Sequence, residues 1–205
     1  MRVINLIFTL LIALGLSGCT KEYMKVPFSV EVDFSKKGTV YETDFKAPWN
    51  IWGSEVEFYI YLGINWISSD SKEGRIYDYI RTGVLREEGE NGKKIPTEET
   101  PYFKLKVTLT PLGRASDNVI ISSPDYSKIE LSQKYVWRKR QHKDEGKIEF
   151  TIDIPLYGGD TSKELMIADL QRLRNYHIRV ESLEDVELPD GVYIGFVINR
   201  HSRKV

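Results

Sequence analysis

The chain has 205 residues, with 29 basic against 30 acidic side chains and a 12% aromatic content. That near balance supplies no global field to draw in nucleic acid or an anionic surface. Its one cysteine excludes any disulfide within the chain, so stability rests on a core that this length is sufficient to build.

Arg2 opens the chain and is followed by an apolar stretch over residues 3–16, broken only by Asn5, Thr9 and Gly15. A charged start and a short apolar run make a secretory signal, and the run falls short of the ~20 residues that a membrane-spanning helix needs. Leu16-Ser17-Gly18-Cys19 then resembles the bacterial lipobox. Its small residues fit the groove of a signal peptidase, and its cysteine thiol carries the diacylglycerol. An ordinary signal with an incidental cysteine is the alternative, but the chain's only cysteine stands at the lipobox position. Residues 1–18 are expected to be removed, leaving 187 residues with 28 basic and 30 acidic side chains. Each buried acyl CH₂ contributes ~0.8 kcal/mol, so several chains on Cys19 would hold the protein firmly to a membrane. Thr20 follows where an Asp would favour inner-membrane retention in the enterobacterial sorting scheme. The expected address is the bacterial cell envelope, facing the periplasm, on the outer rather than the inner membrane. Nucleic acid is not an expected partner there.

Residues 19–27 read as the lipidated cysteine and a short tether. Strict alternation over 28–34, through Phe28, Val30, Val32 and Phe34, predicts the first strand. Residues 35–38 make a turn, and 39–45 return as a second strand, so the pair reads as a β-hairpin. Residues 55–64 carry the strongest strand pattern. Val56, Phe58, Ile60, Leu62 and Ile64 take one face, and Glu57, Tyr59, Tyr61 and Gly63 the other. Ile76, Tyr77 and Ile80 would suit one face of a short helix over 70–81. Residues 87–100, with Asn91-Gly92 and Pro96, read as a polar loop.

Alternation resumes over 103–109 and closes at Pro111 and Gly113. Short strands are expected at 119–121 and 129–131, and an edge strand at 134–137. Residues 147–154 form a clean strand with Ile148, Phe150, Ile152 and Ile154 inward, before a turn at Tyr157-Gly158-Gly159-Asp160. Leu165, Ile167, Leu170 and Leu173 have helical spacing over 162–173. A strand at 176–180 follows, and Pro189-Asp190-Gly191 turns into the last strand at 192–198. The sum is a mostly β chain: an antiparallel β-sandwich of about eight or nine strands with one or two short helices. Residues 28–205 contain no repeat or linker and read as a single domain.

The lipobox, the pair over 28–45 and the closing run Leu170-Gln171-Arg172-Leu173-Arg174-Asn175-Tyr176-His177-Ile178-Arg179-Val180-Glu181-Ser182-Leu183-Glu184-Asp185 come in an order that resembles an uncharacterised family of proteobacterial lipoproteins sharing a domain of unknown function. The resemblance covers most of the mature chain and implies a β-sandwich lipoprotein. It implies no activity and no catalytic residue.

No catalytic motif rises above background in the chain. G-x-S-x-G and the phosphate-binding glycine loop are absent, and Ser71-Lys72, Ser127-Lys128 and Ser162-Lys163 lack the S-x-x-K spacing. The histidines, His142, His177 and His201, have no second His or Cys at ligand spacing, so neither a metal nor a cofactor is expected. Carboxylate pairs for glycoside hydrolysis have no locating motif in a chain with this many acids.

Two features suit binding. The run Trp137-Arg138-Lys139-Arg140-Gln141-His142-Lys143 could grip phosphate or an acidic partner, or could be a solvated loop before the next strand. Trp49 and Trp52 fall in a loop, and Tyr59 and Tyr61 lie opposite the aliphatic row of their strand. Such aromatics stack on sugar rings or anchor a protein interface, or else cover a sheet face or cap the core. The sequence thus points to a lipid-anchored module that binds an envelope protein or glycan, an immunity-type lipoprotein being one version. The rival is an envelope hydrolase whose carboxylates meet only in the fold.

Overall fold

Period-two alternation becomes paired strands wherever one face of a segment can be buried. The computed structural model describes residues 23–49, 55–64, 86–88, 94–96, 102–115, 119–129, 135–142, 146–155, 162–188 and 191–201. Its strands in chain order begin with β1 (Met24–Lys25), β2 (Phe28–Glu31), β3 (Val40–Lys46), β4 (Glu55–Ile64), β5 (Arg86–Glu88) and β6 (Lys94–Pro96). They continue with β7 (Tyr102–Leu112), β8 (Val119–Ile129), β9 (Tyr135–His142), β10 (Ile148–Pro155), β11 (Ser162–Asp169), β12 (Asn175–Ser182) and β13 (Val192–Arg200). One sheet has the order β1-β3-β12-β7-β10, the second β2-β13-β4-β11-β8-β9, and β5 and β6 form a separate two-stranded ladder. Only β1 and β3 run parallel among the described pairings.

The two large sheets make a β-sandwich. Its core follows the alternation: Val56, Phe58, Ile60 and Leu62 of β4 are buried, as are Ile148, Phe150, Ile152 and Ile154 of β10. Rings bridge the layers. Phe45 of β3 meets Phe58 of β4 edge-on at 5.7 Å, and Tyr41 of β3 meets Phe196 of β13 at 5.3 Å. A row of large side chains with almost no exposure on both inner faces accounts for stability without a disulfide.

Several expectations are corrected. The eight or nine strands become eleven in the two large sheets, and no helix occurs among the described residues. The segment with helical spacing is strand β11, where the pairing with β4 shifts between Glu164 and Met166. This bulge buries Leu165 and Met166 in succession. Two consecutive inward residues break period two and imitate a helical stripe. The possible helix over 70–81 lies outside the described residues.

Residues 28–45 are not a hairpin. β2 pairs with β13 in one sheet, while β3 pairs with β12 and β1 in the other. The turn between them crosses from layer to layer. Within the stretch 19–27 read as a tether, Met24 and Lys25 pair with Phe45 and Lys46 and Val26 is buried, and residues 19–22 lie outside the described residues. Within the polar stretch 87–100, Glu87 and Glu88 pair with Ile95 and Lys94. The short strand expected at 119–121 is part of a longer one, β8, which runs on to Ile129 with a register shift between Asp125 and Ile129, and residues 130–131 lie outside the described residues.

Candidate functional site

The turn after β2 builds one wall of a cleft. Val32 continues the ladder by donating its N–H to Ile194 O at 3.0 Å, and Asp33 then reverses the chain. Its Oδ1 accepts the Ser35 N–H at 3.1 Å and the Ser35 hydroxyl. This is the local side-chain-to-backbone bonding by which an Asp shapes a turn. Phe34 is thereby delivered into the core with no exposed surface.

The turn is fastened to the segment after β12. Val186 N–H donates to Ser35 O at 2.8 Å, Gly38 N–H to Ser182 O at 2.8 Å, and Lys37 N–H to Asp185 Oδ1 at 3.0 Å. Ser182 Oγ, buried, lies 2.8 Å from Phe34 O. Between these two loops and the start of β13 opens a cleft of about 630 Å³. Its charged lining is Glu31, Asp33, Lys36 and Glu187, and Leu188, Val192 and Tyr193 contribute apolar surface. The volume is within the ~300–1,000 Å³ range of small-molecule sites.

Tyr193 joins this cleft to the outer face of the six-stranded sheet. In the β4–β13 register Tyr193 stands opposite Gly63, and Gly195 opposite Tyr61. Each ring lies on the facing glycine: a Cβ at Gly63 would come 2.1 Å from Tyr193 Cζ, and one at Gly195 would come 2.0 Å from Tyr61 Cε1. The rings meet edge-to-face at 5.9 Å. Two glycines across from two tyrosines therefore create an interlocked pair, the packing by which a ring compensates a side-chainless strand position. Tyr59 follows two residues earlier on the same face, opposite Val197. Burial, then Glu57 and Tyr61, raises its hydroxyl above the ordinary tyrosine value, so at neutral pH it stays a neutral donor.

The other sequence candidates are dispersed. Trp49 lies beyond the end of β3, on the opposite sheet from Tyr59 and Tyr61, and is 58% exposed. The Arg172 guanidinium sits over its ring at 5.6 Å, within cation–π reach. Arg138, Lys139 and Arg140 belong to β9, the outermost strand of its sheet, and stand opposite Ser123, Ser122 and Ile121. As far as His142 the basic run is thus an edge strand rather than a loop, and Lys143 lies outside the described residues. Charged residues on an edge strand discourage a second chain from pairing there. Cys19 and Trp52 lie outside the described residues.

Sequence reading missed the cleft. Asp33-Phe34-Ser35 looked like an ordinary strand end, and nothing in residues 186–194 announces that they fold against it. The usable signal was an Asp two residues before a Ser at a turn, combined with glycines facing tyrosines. Recognising the second required the pairing of strands far apart in sequence.

No family model matches this chain, and a comparison with curated proteins finds no match. A crystal structure of a protein from Sulfurospirillum deleyianum is similar to it at 12% identity with a TM-score of 0.44, over 86% of this chain and 98% of that one.

Proposed function

We propose that this protein is an acylated lipoprotein of the bacterial cell envelope, anchored through Cys19 and facing the periplasm, whose domain binds an envelope glycan or protein at the tyrosine face and its adjoining cleft. The outer membrane is the more favoured address, on the strength of Thr20. The observation that carries the binding reading is the continuity between the Tyr61–Tyr193 pair and the cleft lined by Glu31 and Glu187. Ring faces stack on the apolar side of a sugar, and carboxylates accept hydrogen bonds from its hydroxyls. A glycan uses both chemistries at once, so it fits this surface better than a plain apolar protein patch does.

Envelope hydrolysis would draw on two carboxylates of one cleft held in different protonation states. Asp33 is committed to the Ser35 N–H and hydroxyl, which gives it a role in shaping the turn. Binding is therefore the reading that the geometry favours.

The test joins address and ligand. Fatty-acid labelling should mark the parent and not Cys19→Ala; label that persists on the variant refutes the anchor. Acylated protein should retain purified peptidoglycan sacculi or lipopolysaccharide, and Glu187→Gln with Tyr193→Ala should weaken retention about thirtyfold, the equivalent of ~2 kcal/mol. Equal retention by the parent and a folded double variant would reject this surface. Release of soluble glycan fragments by the parent would replace binding with hydrolysis.

A further inference from the structure

The end of the sandwich opposite the cleft has a different character. β3 finishes there at Lys46, and β12 begins there at Asn175, paired with Lys46. Ala47 N–H donates to Arg174 O at 2.8 Å, and Leu173 N–H donates to Ala47 O at 3.1 Å. These bonds hold Leu173 at φ 58°, in the left-handed region, with 49% of its surface exposed. A leucine is disfavoured in that conformation and gains little from packing when half its surface meets solvent. Two further large apolar side chains are exposed at this end of the sheet: Trp49, 58% exposed, and Met24, 43% exposed and paired with Phe45.

The charges around these three are mainly positive. Lys25 and Lys46 stand opposite each other in the β1–β3 register, and Arg172 and Arg174 flank Leu173. All four are exposed. Two acids, Glu55 and Asp169, face each other across β4 and β11 at the same end of the other sheet. The cleft end instead carries Asp33, Glu184, Asp185 and Glu187 beside Lys36 and Lys37.

The way the chain enters the fold decides between possible occupants. Met24 is where the described strands begin at this end, and Cys19 lies five residues earlier. Fully extended, that segment reaches at most ~17 Å. An acylated Cys19 therefore keeps Met24 within ~17 Å of the headgroups. We infer that this end of the domain, through Trp49, Leu173 and Met24 ringed by Lys25, Lys46, Arg172 and Arg174, rests in the interfacial layer of an anionic bilayer. Tryptophan favours that layer because its ring is apolar and its N–H polar, and lysine and arginine meet the anionic headgroups. The cleft is then held away from the membrane. This inference rests on the anchor proposed above.

The test uses mature acylated protein reconstituted into vesicles of phosphatidylethanolamine and phosphatidylglycerol with chains brominated near the headgroup. Trp49→Phe keeps an aromatic ring but removes one emitter, so the parent-minus-variant spectrum reports on Trp49 alone. At least half of that difference emission should be lost to brominated lipid. In Lys46→Glu/Arg174→Glu most of the quenching should disappear, with the exposed positions leaving the melting midpoint unchanged. Trp49 that is unquenched by lipid but open to aqueous acrylamide stands in solvent, and Trp49 shielded from both quenchers faces a protein; either result overturns the contact. The mass of the same sample separates the two proposals. An acyl mass on Cys19 with unquenched Trp49 rejects the bilayer contact alone, and absence of the acyl mass rejects both.

Discussion

Substituting Gly195→Ala adds one methyl group where the Tyr61 ring lies, and its consequence can be worked from the structure. The new Cβ would fall 2.0 Å from Tyr61 Cε1 and 2.1 Å from Cζ, less than any real contact allows. Those atoms belong to the far end of a side chain on the outer face, so the ring swings away rather than forcing the sheet apart. Lost with it are the edge-to-face contact with Tyr193, worth ~0.5–1.5 kcal/mol, and the apolar cover of the glycine. A net loss of about 1–2 kcal/mol is expected, within the range of overpacking, or a fall in melting temperature of about 2–8 °C for a chain of this size. In a Tyr61→Ala background the methyl meets open space, and exchanging glycine for alanine in a strand should then gain ~0.5–1 kcal/mol. The same substitution thus reverses sign, and a double-mutant cycle of urea melts should give a coupling of about 2 kcal/mol. Additive effects, or a stable Gly195→Ala in the parent, would show that the ring does not occupy the glycine.

Phe58 has no exposed surface and meets Phe45 edge-on, so Phe58→Ala should lower stability by ~3–5 kcal/mol in urea melts, and a midpoint near the parent's would refute its central position. Burial raises the hydroxyls of Tyr176 and Tyr41 above their ordinary value. A phenol raised in the fold is neutral in both states below about pH 10, so its contribution is fully present there. Above that, the unfolded chain ionises first and stability declines as pH climbs through the folded value. Urea midpoints should therefore drop between pH 9 and pH 11, and Tyr176→Phe should flatten the drop; identical slopes would exclude this tyrosine as a source.

The strands that could be read in sequence are those whose one-sided burial follows an unbroken alternation. β4, β7 and β10 lie in the interior of a sheet or along its packed edge, and every second residue enters the core, so their sequences state their structure. β11 was unreadable for a local reason, because its bulge puts Leu165 and Met166 inward together. The false hairpin had a longer-range cause. Residues 28–45 contain two good strands and a good turn, and only the layer-crossing geometry around Phe34 separates them into different sheets. The candidate site was legible in part: Tyr59 and Tyr61 were placed on the correct face. That Tyr61 interlocks with Tyr193, and that a cleft follows, depends on a partner strand more than 120 residues away along the chain.

That partner strand sets the timing of assembly. β13 lies between β2 and β4, so the six-stranded sheet joins the earliest described part of its chain to the latest. Among the described pairings, β2 has no partner strand, and β4 lacks one of its two, until residues 192–200 have been synthesised. Pairings of such long sequence separation fold slowly, since distant chain closure precedes most of the contacts that reward it. For a protein exported as proposed, delay is useful: the chain can reach and thread a translocation channel before its six-stranded sheet is complete, and shortening it before Val192 should leave β2 without a partner strand and β4 open along one edge.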